Sequence, residues 1–447
     1  MLFPFVSAVD VLPVPRPERA LPMSIVVMKF GGSSVATPEK IRAAAQRAID
    51  AQKSGNQVAM VVSAMGDTTD HLIELAKQVN KGLAPKREYD QLLATGEQVT
   101  ISLVAMALED LGAKAISFTG GQVGMITDNA HTRARLQSIN TKRIVQELDA
   151  GRIVIVAGFQ GVTENGDVTT LGRGGSNVSL VAIAAALKAQ MCENYTDVDG
   201  VYTADPRIVP NARKLDAISY DEMLELASLG ANVLQNRAVE FAKKYNVPIH
   251  VRSSLNHNMG TMIVAETPAM EDIVVRGAAL KDKLARITLK NVPDKPGVAA
   301  KIFHAIATGE IVVDDIIQTL AENKTATVSF TVELTDLDEA KTVCEQLCKS
   351  MGSAQAVYET DLAKVSVVGV GMRVHTGVAQ RMFKALAEAG INIQNITTSE
   401  IKISCIIKRD QGRDALRIVH DAFDLGRKPA KAAKVAKVAG KKKKAAK

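Results

Sequence analysis

Cysteine is scarce here: Cys192, Cys344, Cys348 and Cys405 are the whole set, and no two form a CxxC pair or a metal-ligand spacing. That argues against a thiolate metal centre and fits a reducing cytoplasm. Cys344 and Cys348 stand one helical turn apart and read as two thiols on one core face. Also missing are a GxxxxGK stretch followed by Ser or Thr and the protein-kinase motif set, which excludes a P-loop NTPase and a protein kinase. No apolar run reads as long enough to span a membrane. The N-terminal stretch MLFPFVSAVDVLPVPRPERALP has five prolines and no basic region ahead of its apolar run, so it makes a poor signal peptide. Residues 1–22 are expected to be a disordered extension, with Met23 opening a more regular segment. Acids are absent from 427–447, where nine Lys and one Arg stand. The net charge of +7 is therefore a property of that tail, and the body carries −3. A Lys/Ala-rich tail of this kind is expected to be disordered when free. It is a solvated extension or a loose, salt-sensitive contact for nucleic acid or another polyanion.

At 447 residues, 47% hydrophobic and 23% charged, the chain has an ordinary globular composition and room for two or three domains. From Ser24 onward, short apolar runs (IVVMKF, QVAMVVSAMG, AISFTG, RIVIVAGF, MCENYTDVDG) alternate with helical patterns. Each run ends in glycine or polar residues. Thr37-Pro38-Glu39 is a helix start, with a cap, a proline at the first position and an early acid. The rhythm predicts an α/β domain, a largely parallel sheet with helices on both faces, over residues 23–265. Ligands then belong at the carboxyl ends of the strands, where Gly31, Gly32, Ser63, Gly120, Gly121 and Gly158 fall.

Beyond residue 265 an internal repeat appears. PGVAAKIFHAIATGEIVVDDI from Pro296 matches TGVAQRMFKALAEAGINIQNI from Thr376, a spacing of 80 residues. Two small α+β modules of one kind are predicted, at 284–355 and 360–426.

Two glycine loops carry candidate chemistry. Lys29-Phe30-Gly31-Gly32 follows the first strand, and Arg173-Gly174-Gly175-Ser176 precedes an alanine-rich helix. Glycines let backbone N–H groups approach a phosphate, Lys29 adds a point charge, and Arg173 can grip a carboxylate through two hydrogen bonds. YTDVDGVYTADPR, from Tyr195 to Arg207, places Asp197, Asp199 and Asp205 at a strand end without the ligand spacing of an EF-hand. An Asp-rich turn that binds nothing is the plain alternative.

At this point the residues resemble a family. MKFGGSSV, VVSAMGDTTD, LLATGEQV, VAGFQGVTENGDVTTLGRGGS, YTDVDGVYTADPRIVPNARKL, NVPIHVRSS and DKPGVAAKIF occur in the order seen in aspartate kinases of the amino-acid kinase superfamily. The form resembled has two C-terminal ACT domains, and the likeness runs from residue 23 to about 426. It implies ATP-dependent phosphorylation of L-aspartate to 4-phospho-L-aspartate, the first step towards lysine, threonine and methionine, with Mg²⁺ accompanying ATP. Carried over position by position, Lys29 is catalytic, and Lys29, Phe30, Gly31, Gly32, Ser176, Tyr195, Thr196, Asp197, Tyr202 and Arg207 meet the nucleotide. Ser63, Glu97, Arg173, Gly174, Gly175 and Ser176 hold aspartate. Asp294, Lys295, Pro296, Gly297 and Gln318 in the first module, with Gly377, Val378 and Asn392 in the second, match effector positions for lysine or threonine. A cytoplasmic homo-oligomer joined through ACT domains is implied, with no membrane partner.

The chain departs from that family in the site. Asn177 stands at the catalytic position where GRGGS is normally followed by Asp, Asn232 where a lysine meets ATP, and Asn194 where the strand is usually apolar. Val312 and Thr319 replace effector asparagines, and Thr376 replaces a proline, so threonine inhibition is expected to be weak or absent. Three readings follow: an active aspartate kinase, an amino-acid-binding regulatory subunit without turnover, or a related kinase of another carboxylate.

Overall fold

The computed structural model describes residues 24–82, 84–230, 233–265, 274–309, 311–320, 324–352, 354–373 and 375–427. The expected extension at 1–22, the tail past 427 and Asn232 lie outside the described residues.

Eight strands form the first sheet, in the order Ala217–Ser219, Thr261–Val264, Ile249–Ser253, Met191–Thr196, Ser24–Phe30, Asn56–Val62, Ile153–Ala157 and Ala115–Phe118. Every neighbouring pair is parallel except Ile249–Ser253 with Thr261–Val264. The central strands are near-continuous apolar runs because both faces are covered. On one face Val26, Met28 and Phe30 pack under the helices Pro38–Lys53 and Thr95–Asp110; on the other, Val27, Val61 and Cys192 pack under Lys142–Asp149, Gly175–Ala186 and Asn236–Tyr245. The predicted helix start is in place: Thr37 Oγ1 accepts from Lys40 N at 3.4 Å ahead of Pro38. Such a cap contributes about 1 kcal/mol.

One expectation from the sequence needs correcting. The helical stretch Lys86–Asp110 is, by length and composition, apolar enough to cross a membrane. It holds the buried acids Asp90 and Glu97, and Ile101, Val104 and Leu108 sit in the core beneath Pro38–Lys53. A second, four-stranded sheet of Leu136–Ile139, Met125–Thr127, Gln160–Val162 and Val168–Thr170 flanks the first. Its strands are three or four residues long, too short to show a period in sequence.

The C-terminal part is a six-stranded antiparallel sheet, ordered Asp314–Leu320, Thr325–Glu333, Gly277–Pro293, Gln355–Val368, Lys402–Lys408 and Asn395–Thr398. The repeat is visible in its helices, Val298–Thr308 and Val378–Glu388, each opened by a glycine in the left-handed region (Gly297 φ 89°, Gly377 φ 92°). The two modules share their long strands: Gly277–Lys281 pairs with Lys364–Val368, and Arg286–Lys290 with Gln355–Glu359. The segment from Gly277 thus completes the second module although it precedes the first. Lys364 is buried among strands of both modules, and its Nζ donates to Asp314 and Asp315.

The C-terminal sheet is tied to the eight-stranded layer. Glu222 Oε1 accepts from Val370 N at 3.2 Å, Lys402 pairs with Glu225 at 2.9 Å, and Ala278 N donates to Thr203 O at 2.7 Å.

Candidate active site at the carboxyl edge of the sheet

Four adjacent parallel strands end together, and their ladder continues one residue into the loops. Gly31 N donates to Tyr195 O at 3.3 Å, Ser63 N to Phe30 O at 3.1 Å and Gly158 N to Val62 O at 3.0 Å. Gly31, Gly32, Ser63, Gly158 and Thr196 are thereby held at one edge as a rigid unit.

Lys29 is the penultimate residue of the strand Ser24–Phe30. It is buried, and its Nζ lies 3.2 Å from where a Cβ on Gly31 would stand. Burial pulls its pKa down to about 8, against the opposing pull of Asp197. Across the Gly31-Gly32 turn, Glu97 is 3% exposed. Its Oε1 accepts from Ala64 N at 3.0 Å, while Oε2 is buried without a partner. Desolvation raises its carboxyl to about 7, with the Ala64 N–H working the other way. A buried cation and a buried half-satisfied carboxylate therefore flank one glycine turn. Both are costly to the free protein and suit a ligand that carries a phosphate and an ammonium.

The second glycine loop enters the helix Gly175–Ala186 beside Gly158. A Cβ on Gly158 would lie 2.8 Å from Ser176 Oγ and 3.1 Å from Val61 Cγ1, so only glycine admits the helix this close to the sheet. Arg173 is exposed, and Gly174, Gly175 and Ser176 follow it into the first turn. The backbone carbonyl of Arg173 accepts from Gln235 Nε2. Asn177 Oδ1 is buried with no hydrogen-bond partner. Asn194 faces the same side of the sheet, opposite Lys29 in register; its Nδ2 donates to Val233 O at 3.4 Å and its Oδ1 has no partner.

Thr196, Asp197, Tyr202 and Arg207 come together on one cavity of about 480 Å³. Thr196 Oγ1 donates to Asp197 Oδ1 at 3.0 Å, and Arg207 makes a two-pronged pair with Asp205 that holds the Asp205 carboxyl below its usual range. Tyr195 points elsewhere, stacked on Phe30 at 4.7 Å with its hydroxyl donating to Glu193. Of the nucleotide residues expected from sequence, Phe30 and Tyr195 thus serve as core beneath the edge. Part of the cavity wall is Ala278, Ala279, Leu280 and Leu416 from the C-terminal sheet and its last helix. No motif marks them, because no local signal places residue 416 against residue 202.

Among the described residues no three acids, histidines or cysteines cluster as a metal site. Oxygen donors are present at the edge in Asp197 and in the orphaned Oδ1 of Asn177. In the modules, Asp294 N donates to Lys324 O at 3.0 Å, and Lys295 and Pro296 lead into Gly297 at the head of the first helix. Gln318 lies on the outer strand Asp314–Leu320, Val378 opens the second helix after Gly377, and Asn392 is exposed beyond its end.

The amino acid kinase family model matches residues 24–253, and an ACT domain model matches 365–423. The aspartate kinase of Stutzerimonas stutzeri (strain A1501) is 50% identical over 404 residues, covering 90% of this chain and 98% of the relative. Aspartokinase 2 of Bacillus subtilis (strain 168) is 49% identical over 407 residues, covering 91% and 99%. Among solved structures, E. coli aspartokinase III in complex with aspartate and ADP aligns with a TM-score of 0.76 over 89% of this chain and 99% of that one, and at 24% identity it speaks for the fold. With identity near one half along nearly the full length of these relatives, this chain belongs to the aspartate kinases of the amino acid kinase family and carries a C-terminal ACT domain.

Proposed function

We propose that this chain transfers the γ-phosphoryl group of ATP to the side-chain carboxylate of L-aspartate, giving ADP and 4-phospho-L-aspartate. The observation that carries the assignment of the site is a buried Lys29 beside Gly31 together with a half-satisfied Glu97 bonded to Ala64, against whose carbonyl Gly32 packs. A carboxylate oxygen of aspartate attacks the γ-phosphorus as the bond to the β,γ-bridging oxygen breaks. The acceptor is already ionised, so no proton has to be removed. The barrier lies in bringing two anions together, and positioning with charge neutralisation lowers it.

Lys29, Gly31 and Gly32 hold the transferring phosphate. Glu97 takes the substrate ammonium, Arg173 a carboxylate, and Ser63 with Gly174, Gly175 and Ser176 frame the aspartate. Thr196, Asp197, Tyr202 and Arg207 take the nucleotide in the 480 Å³ cavity. Asn177 Oδ1 and Asp197 would offer oxygen to a Mg²⁺ ion accompanying the triphosphate, which would supply neutralisation of phosphate charge. The first C-terminal module is a second ACT domain, supported by the sequence repeat and by the matching glycine-opened helices. Asp294, Lys295, Pro296, Gly297 and Gln318, with Gly377, Val378 and Asn392, form effector sites for lysine or threonine, with threonine inhibition weak or absent, and the modules pair two copies of the chain. Four free cysteines are in keeping with a cytoplasmic protein.

Purified chain incubated with ATP, Mg²⁺, aspartate and hydroxylamine should yield aspartyl hydroxamate in an aspartate-dependent manner. The competing reading, an amino-acid-binding subunit without turnover, rests on the uncharged Asn177. Absence of hydroxamate from the wild type, with robust product from Asn177→Asp, would establish that reading instead.

A further inference from the structure

The loop that carries Arg173 is held by two charged side chains outside the substrate-binding set. Asp90, on the helix Lys86–Leu93, is fully buried. Its Oδ1 accepts from Thr170 Oγ1 at 2.6 Å and Thr132 N at 3.1 Å; its Oδ2 meets Thr132 N and His131 Nδ1, both at 2.9 Å. Arg237, near the start of Asn236–Tyr245, donates from Nη1 to Leu171 O at 2.7 Å and from Nη2 to Ala134 O at 3.1 Å. The two residues therefore grip the same pair of segments, 131–134 and 170–171, with complementary chemistry. The anion gathers donors and the cation gathers carbonyls.

What this grip fixes is the start of the glycine loop. Ala134 N donates to Thr170 O at 2.9 Å, so the two segments are also joined directly. Gly172 (φ 80°) runs so close that a Cβ there would lie 3.2 Å from Thr132 O. Thr132 itself sits at φ 72°, a left-handed conformation uncommon for a β-branched residue. A backbone held in such a conformation persists where its surroundings over-determine it, and such sites cluster at ligand clamps. Here the Thr132 amide is held by the Asp90 carboxylate. Arg173 follows Gly172, so fixing Leu171 and Gly172 sets where its backbone starts, and its own carbonyl is held in turn by Gln235 Nε2.

We infer that Asp90 and Arg237 are positioning residues for aspartate binding, a two-sided clamp that sets where Arg173 presents its guanidinium. This rests on the assignment of Arg173 to the substrate carboxylate. Displacing a positioned group by about 1 Å can cost on the order of a hundredfold. The nucleotide cavity is lined by neither residue, so the effect is confined to aspartate.

The test is calorimetric titration of the full chain with L-aspartate and, separately, with MgADP, which needs no turnover. Asp90→Asn and Arg237→Gln should each weaken aspartate tenfold or more while leaving ADP affinity within twofold. Should either variant fail to fold, Thr170→Val removes one arm of the clamp alone, and Thr170→Ser restores it. Val should weaken aspartate and Ser should recover it. Unchanged aspartate affinity in Asp90→Asn and Thr170→Val, with loss in Arg173→Ala, would overturn the clamp and leave the site assignment standing. Equal weakening of both ligands would mark Asp90 and Arg237 as general staples of the fold and also overturn it. Wild-type aspartate affinity in Arg173→Ala would sink the assignment of Arg173, and the clamp with it.

Discussion

His420 Nε2 lies 3.0 Å from Thr203 Oγ1, joining the last helix of the ACT domain to the loop that carries Tyr202. Both side chains are fully buried, and Thr203 Oγ1 also accepts from Arg213 N at 2.9 Å. Burial lowers the His420 pKa below its ordinary 6.5 although Asp421 pulls it upward. A histidine depressed in the folded state favours folding above its unfolded pKa, and that contribution is lost as pH falls from about 6.5 through the lower folded value. Chemical denaturation midpoints should therefore decline between pH 7.5 and 5.5, and the decline should shrink in His420→Gln. An identical pH slope in the variant would count against this contact as a source of acid sensitivity.

The carboxylate of Glu97 gives a second pH dependence, in binding. Held up at about 7 by desolvation, it takes a proton as pH falls through that value and loses its hold on an ammonium. Aspartate affinity should fall from pH 8 to 6, and Glu97→Gln should flatten that profile while raising the aspartate KM. A charge-assisted hydrogen bond contributes about 1.5–3 kcal/mol, or roughly ten- to a hundredfold. Because the folded pKa stands above the unfolded one, Glu97 also costs the free protein stability as pH rises from about 4.5 to 7. Glu97→Gln should thus melt higher than wild type at pH 8 in the absence of ligand.

Most of the edge that holds these groups is legible in sequence, because buried parallel strands announce themselves as short apolar runs that stop at glycine. Lys29, Gly31, Gly32 and Gly158 were placed that way, and Thr37-Pro38 marked its helix by capping chemistry alone. The exchange of strands between the modules is not legible, since Gly277–Lys281 carries no label saying it pairs with Lys364–Val368. Nor are Asp90, Arg237 and Leu416, whose neighbours are set by tertiary packing across large sequence separations. An aspartate in a helix gives the same local signal whether it is solvated or buried under a loop. Phe30 and Tyr195 illustrate the converse: the family resemblance places both at the nucleotide, and strand alternation sends both rings into the core, where they stack.

Lys29 should trade stability for chemistry. Its pKa near 8 means the folded protein holds the ammonium less readily than the unfolded chain, which costs stability at neutral pH. That cost vanishes only above the unfolded value of 10.5. Lys29→Met should raise the melting temperature of the free protein while lowering kcat by about 10²–10³, the scale for loss of one preorganised charge. In the wild type, affinity for a non-hydrolysable ATP analogue should weaken as pH rises above about 8, an effect the methionine variant lacks. A variant that melts lower than wild type would show that Lys29 has a partner in the free state.

The proposed place of Asn177 in the site predicts that a carboxylate at this position raises turnover. Its Oδ1 is buried and unpaired in the first turn of Gly175–Ala186, on the same side as Lys29 and Asn194. The face therefore carries two unpaired amide oxygens, and Asp197 is the carboxylate that acts on the buried Lys29. A carboxylate at position 177 would be favoured by the helix N-terminus and by Lys29, whose pKa it would raise. Asn177→Asp should increase kcat in the hydroxamate assay by on the order of 10²-fold, and should move the alkaline limit of binding of a non-hydrolysable ATP analogue to higher pH. Asn177→Ala, which removes the oxygen without adding charge, should bring no gain. A loss of activity in Asn177→Asp would mean that the neutral oxygen is what this site uses, with the phosphate charge balanced from elsewhere.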